Sequence, residues 1–426
     1  MLKMYAELTH RSRHSLFESL RVEVLLLFTL AVMAPAPLLG RYLLPGIDSR
    51  PIDYAVIAAG FGAVVGLLLL RRVSAFPGTT IFGYILPSFL TSYGLAVAVM
   101  FLARADYSRL YLAVSLLVAV AVSFAVRFHL DKATSQRFYY VPAGNMSVVD
   151  QTPEVEWIPL LSAEVPTVRR AVIVADLRHD HADQWERMLA EAAIRGHVVY
   201  HVKQIAESLT GRVAIEHLSE NSFGSLMPNL AYVKFKRVID VIGTLFILPV
   251  LIPLLVLIAL AIRLDSRGPV FFMQRRMGFR GEPFTVIKFR TMRPRDESAD
   301  RDDCVTQDDD DRITRLGRFL RRTRLDELPQ AFNVLRGEMS WIGPRPEAIP
   351  LSEWYEAEIP HYRYRHIVRP GISGWAQVNQ GHVADLNAVH LKLHYDFFYI
   401  KNFSAWLDLL ILFRTVATVT SGFGAK

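Results

Sequence analysis

Residues Val238 to Ile262 read VIDVIGTLFILPVLIPLLVLIALAI, and this run restricts the fold more than any other part of the 426-residue chain. A stretch this long and apolar must satisfy its own backbone hydrogen bonds as a helix in or against lipid. Lys234, Lys236 and Arg237 precede it, and Arg263, Arg267, Arg275 and Arg276 follow it. The positive-inside bias therefore holds both ends on the cytoplasmic side. Pro249 and Pro253 lie in the middle, each removing a backbone donor and crowding the preceding turn. A re-entrant helix that enters one leaflet, bends near Pro253 and returns meets both conditions. Asp240 then lies near the interface, within reach of Lys236 or Arg237. An ordinary fifth span with a proline kink is the alternative.

Four further apolar segments precede residue 130: roughly Val24 to Leu39, Tyr54 to Leu70, Phe82 to Leu102 and Ser108 to Val126. Each approaches the roughly 20 residues a helix needs to cross a bilayer. Pro35, Pro37 and Arg41 crowd the end of the first, which makes it the least regular. With all four crossing, Lys3, Arg11, Arg13, Arg21, Arg71, Arg72, Arg127, Lys132 and Arg137 fall on one side, and Arg41, Arg50, Arg104 and Arg109 on the other. Nine against four places the N-terminus and everything after residue 127 in the cytoplasm. The first segment reads as an anchor and not as a removed signal peptide. With 52% apolar residues and a net charge of +7, the chain is not a purely soluble protein. Its single cysteine, Cys304, excludes an intrachain disulfide and a cysteine metal cluster.

From about 136 to 230 the composition turns soluble. "RFYYV", "RRAVIVADL" and "HVVYHV" have the pattern of short buried strands, and "HADQWERMLAEAAIRG" has helical spacing ended by Gly196. The order implies a small α/β module, Rossmann-like but without the motif: "VPAGN" after the first strand is not GxGxxG, so a pyrophosphate has no close backbone approach. A structural or regulatory role is favoured over nucleotide binding. His179 and His181 in "RHDHAD" read as a solvated loop, since no second cluster at metal-ligand spacing follows.

Beyond the apolar run, "QRRMGFRGEPFTVIKFRTM" alternates as a hairpin, and Asp308 to Asp311 read as a solvated loop. In "RITRLGRFLRRTRLDELPQ", Arg312, Arg315, Arg318 and Arg322 line one helical face beside Arg321, while Leu316, Phe319 and Leu320 occupy another. Aromatic stacking platforms are not apparent, so lipid headgroups and phosphorylated substrates are expected there and nucleic acid is not. Asp326 and Glu327 then open a helix, "LPQAFNVL", with Leu328, Phe332 and Leu335 facing inward and Gly337 stopping it. A pair of acids at a helix N-terminus is explained by the macrodipole alone, at roughly 0.3–1 kcal/mol. Arg321, Arg324 and Arg345 in "IGPRPE" change the odds, because with free helix N–H groups they make a site for a diphosphate. An aspartate there stays ionised and can attack phosphorus, while a neighbouring glutamate can hold Mg²⁺.

The stretch from Lys236 to Ser421 resembles the catalytic region of the bacterial sugar transferases, the monotopic polyprenyl-phosphate phosphoglycosyl transferases. The likeness rests on "KRVID", the proline-broken helix, "GPVFFMQRRMG", "IKFRTM", "RITRLGRFLRRTRLDELPQAFNVLRGEMSWIGPRP", "HIVRPGISGWAQVNQG" and "YDFFYIKNFSAWLDL". It implies Asp326 as the nucleophile and Glu327 as a magnesium ligand. Phosphate-binding roles fall on Arg321 and Arg345, with Lys288, Arg290 and Arg369 completing the set. Lys236 and Arg237 are expected at the membrane interface and Pro249 and Pro253 at the helix break. Two positions depart from the family pattern: Ile252 precedes Pro253 where serine is usual, and Arg324 stands where a serine is usual before "LDE".

The expected architecture is an N-terminal membrane α-helical bundle (1–130), a small α/β module (131–230) and a mixed α/β catalytic domain with a re-entrant membrane helix (231–426). "SAWLDLLILFRTVATV" is too short and charged to span and adds an interfacial face. The expected reaction moves a hexose 1-phosphate from a UDP-sugar to undecaprenyl phosphate, with UMP released, in the first membrane step of exopolysaccharide, capsule or O-antigen synthesis. Expected too are Mg²⁺, membrane lipids and a homodimer as partners, and a multi-pass location in the bacterial inner membrane. A non-catalytic membrane scaffold, or a direct-displacement enzyme with Asp326 as general base, are the alternatives.

Overall fold

The computed structural model describes residues 19–38, 50–73, 81–131, 137–168, 171–215, 228, 230–293, 312–380 and 386–421. Lys3, Arg11, Arg13, Arg41, Lys132, Cys304 and Asp308 to Asp311 lie outside them. The chain divides into two compact units, Met1–Gly211 and Arg212–Lys426. The second begins earlier than composition implied. Val213 donates its N–H to the His394 carbonyl at 2.9 Å, and Arg212 lies over the Tyr395 ring, so these two residues already belong to the second unit.

In the first unit, α1 (Leu20–Leu27) runs into a π-helical turn (Phe28–Met33) and a short helix (Pro35–Leu38). The irregularity falls where prolines remove backbone donors. Three regular helices follow, α2 (Arg50–Val73), α3 (Ile81–Leu102) and α4 (Arg109–Asp131). By length and composition five helices of the described chain can cross a membrane, these four segments and Leu230–Asp265. Glu23 of α1 is buried, and Arg71 of α2 and Arg127 of α4 hold it at 2.8 and 2.9 Å. Pairing is what makes a buried carboxylate tolerable, and here it ties three helix ends together.

The module is a parallel sheet in the order β2-β1-β3-β4, with β1 Arg137–Tyr140, β2 Glu156–Pro159, β3 Val172–Ala175 and β4 Val198–His201. Helix α5 (Asp183–Ile194) ends before Gly196, whose φ of +84° suits only glycine well, and α6 (Val202–Thr210) follows β4 directly. His181 is not solvated: it is buried, with Nε2 at 2.9 Å from the Asp176 carbonyl.

The first helix of the second unit is α7 (Leu230–Asp265), which carries Pro249 and Pro253 without leaving helical geometry. No turn interrupts it, so the return at Pro253 is not a hairpin of two helices. Instead both halves of α7 rest on the same unit. Near its start, Lys236 pairs directly with Asp408 at 2.5 Å while its charge also acts on Asp240, and Arg237 donates to the carbonyls of Val334 and, at 2.8 Å, Leu335. Further on, Trp341 donates to Thr244 at 2.9 Å. From between the prolines onward, Leu251, Leu255, Ile258 and Ile262 form a stripe at helical spacing against Phe289, Leu320 and Ala331. The opposite face stays apolar and exposed, as Phe246 at 84% and Leu264 at 88% illustrate, which suits lipid and not water.

Against α7 lies the hairpin of β5 (Phe271–Met277) and β6 (Pro283–Phe289), antiparallel from Phe271↔Phe289 to Met277↔Pro283. Next come α8 (Arg315–Arg322), a 3₁₀ turn (Leu325–Gln330), α9 (Ala331–Arg336) and β7 (Ser340–Ile342). Then follow α10 (Ile349–Glu358), β8 (Gly371–Ser373), α11 (Trp375–Gln380), α12 (Leu386–Lys401) and α13 (Ala405–Ser421). In α8, Leu320 is buried as expected, whereas Phe319 is exposed.

Candidate active site

The short helix after the basic stripe begins later than the sequence pattern implies. Pro329 has no N–H, and residues Leu325–Gln330 adopt a 3₁₀ turn, leaving α9 only six residues long. Asp326 and Glu327 thus sit in that turn and not at the mouth of an α-helix. Cationic side chains, and not a helix dipole, set their environment.

Three structural devices bring those cations in. Asn333 of α9 is buried. It accepts from the Ile287 N–H at 3.1 Å and donates to the Thr285 carbonyl at 2.7 Å, which staples α9 to β6 and fixes Lys288 beside Glu327. Gly317 lets α8 approach the end of β6 so closely that a Cβ there would fall 2.0 Å from the Thr291 carbonyl oxygen. That approach allows Arg321 to donate from Nε to Thr291 Oγ1 at 2.9 Å. The loop after β7 is held by its backbone: Gly343 N–H to Ser373 O at 2.8 Å, Gly371 N–H to Pro344 O at 3.0 Å, Arg365 to Arg345 O at 2.8 Å and Arg276 to Pro346 O at 2.6 Å. Arg345 is aimed by a scaffold that is fully pinned.

The two acids end up in opposite conditions. Glu327 is buried and its Oε1 is met by Lys288 Nζ and Arg345 Nη2, each at 2.9 Å, and by Arg324 at 3.9 Å. Arg324 takes a φ of +58°, an uncommon conformation for a residue with a side chain, and such strain gathers at functional sites. Burial pushes the Glu327 carboxyl up, but Arg345, Lys288 and Arg324 together outweigh it and hold the group well below the carboxylate range. Asp326 has an oxygen, Oδ1, that is buried without a hydrogen-bond partner. Burial and the Glu327 charge push its pKa up to about 6, against the pull of Lys288, Arg345 and Arg321. Burial also lowers Lys288 to about 8, Glu327 opposing and Arg345 and Arg276 reinforcing the shift. Arg345 is raised, chiefly by the Glu327 charge.

A magnesium ion takes hard oxygen donors, and often only one or two carboxylates with phosphate oxygens and water. Two adjacent carboxylates, one with a partnerless buried oxygen, fit that donor set. Among the described residues no group of three His, Cys, Asp or Glu gathers to hold a metal.

Of the expected phosphate-binding residues, Lys288 and Arg345 lie on Glu327, and Arg321 lies close enough for its charge to lower Asp326. Arg290 does not join them: it is buried, with its guanidinium donating to the carbonyls of Arg267 and Ser266 at 2.9 and 2.8 Å, where it secures the end of α7. Arg369 donates to the Gly337 carbonyl and lies over Phe279, in the hairpin turn. That turn is five strand residues from the Phe272–Lys288 pair, roughly 17 Å away. Sequence reasoning missed a second charged network behind Arg345. Arg365, almost fully buried, holds Asp396 at 2.9 Å, while Glu347 binds Lys392 and lies 4.0 Å from Arg365. Burial pushes Glu347 up, but Lys392 and Arg365 hold it well below the usual range. Its position beside "GPRP" was the available signal.

An acid pair ringed by cations, Glu327 buried and Asp326 half-buried, on a domain that carries a long apolar helix, is an arrangement suited to phosphorylated substrates at a membrane. Comparison with known proteins is consistent with that reading. The family model described as Bacterial sugar transferase matches residues 231–422. A UDP-N-acetylgalactosamine-undecaprenyl-phosphate N-acetylgalactosaminephosphotransferase of Aeromonas hydrophila is 44% identical over 370 residues, 86% of this chain and 87% of that protein. UDP-glucose:undecaprenyl-phosphate glucose-1-phosphate transferases of Caulobacter vibrioides and Escherichia coli K12 are 43% and 45% identical over 198 and 185 residues, 46% and 42% of this chain and 73% and 39% of theirs. The chain belongs to the bacterial sugar transferase family and is a transferase with membrane helices.

Proposed function

We propose that the protein transfers a hexose 1-phosphate from a UDP-sugar to undecaprenyl phosphate, releasing UMP, through a covalent phosphosugar on Asp326. The inequality of the two acids carries this reading. Glu327 is neutralised by Lys288 and Arg345, whereas Asp326 keeps a buried oxygen free to react. In the first step an Asp326 oxygen attacks the β-phosphorus of the UDP-sugar, and the bond from that phosphorus to the bridging oxygen breaks as UMP leaves. In the second, a lipid phosphate oxygen attacks the same phosphorus, the Asp326–phosphorus bond breaks, and the carboxylate is restored. Lys288, Arg345 and Arg321 offset the negative charge that gathers on the phosphate oxygens. Mg²⁺ held by Glu327 would supply further charge neutralisation on the diphosphate.

The same reading places α7 as a re-entrant element with both ends in the cytoplasm, because its two halves pack on one unit and both flanks are basic. It places the enzyme in the cytoplasmic membrane, as a homodimer, at the first membrane step of a surface polysaccharide. The Aeromonas relative makes UDP-N-acetylgalactosamine the first donor to try, and UDP-glucose the next. Purified protein given such a donor, undecaprenyl phosphate and Mg²⁺ should release UMP with ping-pong kinetics. Absence of UMP with every common UDP-sugar would instead fit a non-catalytic scaffold.

A further inference from the structure

The first three residues of β5, Phe271, Phe272 and Met273, are 39%, 49% and 63% exposed. They lie on an outer strand, since the sheet holds only β5 and β6 and it is β6 that packs on the turn carrying the acids. An apolar strand edge bared to water invites aggregation, so this one needs a cover. Its two faces lead to different places. Phe272 pairs across the hairpin with Lys288, the lysine on Glu327, so the two side chains share a face with Cβ atoms about 5 Å apart. Phe271 points the other way and stacks on Phe289, centroids 5.5 Å apart, and Phe289 belongs to the cluster around the membrane helix α7. The apolar edge therefore runs from the charged centre to the lipid-facing helix.

We propose that Phe272 determines acceptor binding: the first isoprene units of the polyprenyl phosphate pack against it, and the chain continues over the edge at Phe271 and Met273 toward α7. This rests on the transfer reading above. A prenyl phosphate is an anion followed directly by an apolar chain, and a lysine facing a phenylalanine at one cross-strand pair has that same order of charge and apolar surface. An aromatic meant for the uracil base would lack the apolar run on either side that leads into the bilayer.

The test uses the full chain in detergent, with Phe272→Ser, Phe272→Leu and wild type. The acceptors are undecaprenyl phosphate and a water-soluble ten-carbon prenyl phosphate. In Phe272→Ser the KM for both acceptors should rise about tenfold, the order expected from losing one apolar side-chain contact, while the KM for the UDP-sugar stays put. Leucine should restore most of the loss, which guards against a serine variant that merely folds badly. A rise in the UDP-sugar KM alone would assign the face to the donor and overturn the proposal. So would an unchanged KM for the soluble acceptor, which would leave Phe272 a bulk-lipid anchor, and so would a shift in oligomeric state with both KM values intact. Wild-type protein that turns over no UDP-sugar with either acceptor would remove the transfer reading itself, and the acceptor track with it.

Discussion

Asp176 and Asp326 are both acids at the working end of an α/β unit, and they differ in what their neighbours supply. Asp176 follows β3 where the strand order reverses, the place at which such sheets commonly bind ligands. Here it is already satisfied: Oδ2 accepts from the Asn145 N–H at 2.9 Å and Oδ1 from the Arg178 N–H at 3.2 Å. Gly144 presses in so closely that a Cβ would fall 2.7 Å from the aspartate. Burial raises the Asp176 carboxyl, but the backbone donors and His201 and His179 lower it below its ordinary value. Asp326 has a buried oxygen with nothing to accept from, and its pKa is pushed up to about 6. The satisfied acid closes its crevice, and the unsatisfied one is the acid to which the proposed reaction is assigned.

Substitution should separate the two sharply. Asp326→Asn should cut turnover by about 10³-fold or more, since the attacking charge is gone. It should also raise the melting temperature at pH 7.5. A carboxyl raised by the fold destabilises the folded state once ionised, so the gain should be full above about pH 6, fade as pH falls from there, and be gone below Asp326's ordinary value of 3.8. Arg345→Ala should lower kcat about 10²-fold by removing a donor aimed at phosphate charge, and it should destabilise the protein by leaving Glu327 buried with fewer partners.

The pH profile comes next in size. On the proposed route Asp326 must be ionised to attack and Lys288 must be charged to offset phosphate, so kcat/KM for the UDP-sugar should rise through about pH 6 and fall through about pH 8. Those apparent values belong to the coupled cluster and not to single residues. Glu327→Gln has the opposite stability sign to Asp326→Asn. Glu327 is held low by cations, so its contribution is present above its ordinary value of 4.5 and is lost as pH falls. The variant should melt lower at neutral pH and need more Mg²⁺ for the same rate. Asp176→Asn should change kcat little and cost about 1–2 kcal/mol of folding stability, read by thermal melting of the full chain. Equal loss of turnover from the Asp176 and Asp326 variants would dissolve the contrast.

Much of this was legible in the chain, for reasons that differ by element. The β5–β6 hairpin, β1, β3, β4 and α5 announce themselves by alternation or by helical spacing with a glycine stop. Strand β2, four residues ending in Pro159, and α6, which follows β4 with no turn signal, do not. The acid pair was visible, but its setting was misread because Pro329 favours a 3₁₀ turn over an α-helical start. The placing of Arg290 and Arg369, and the Glu347–Lys392 and Arg365–Asp396 pairs, rest on contacts between residues more than 20 apart in sequence. No local pattern encodes those. The course of α7 lay between: flanking charge implied that both ends share a side, and the prolines implied a bend near Pro253, where α7 stays helical through both prolines.

The central claim is that Asp326 carries the sugar phosphate. It is tested most directly by incubating the protein with UDP-N-acetylgalactosamine or UDP-glucose and Mg²⁺ in the absence of lipid acceptor, then digesting it and weighing the peptides. The account predicts one modified peptide, the one containing Leu325–Gln330, heavier by a sugar phosphate and unmodified in Asp326→Asn. The adduct should discharge when undecaprenyl phosphate is added. Sequential kinetics with no adduct on that peptide, in protein that turns over normally, would contradict it and leave Asp326 a general base.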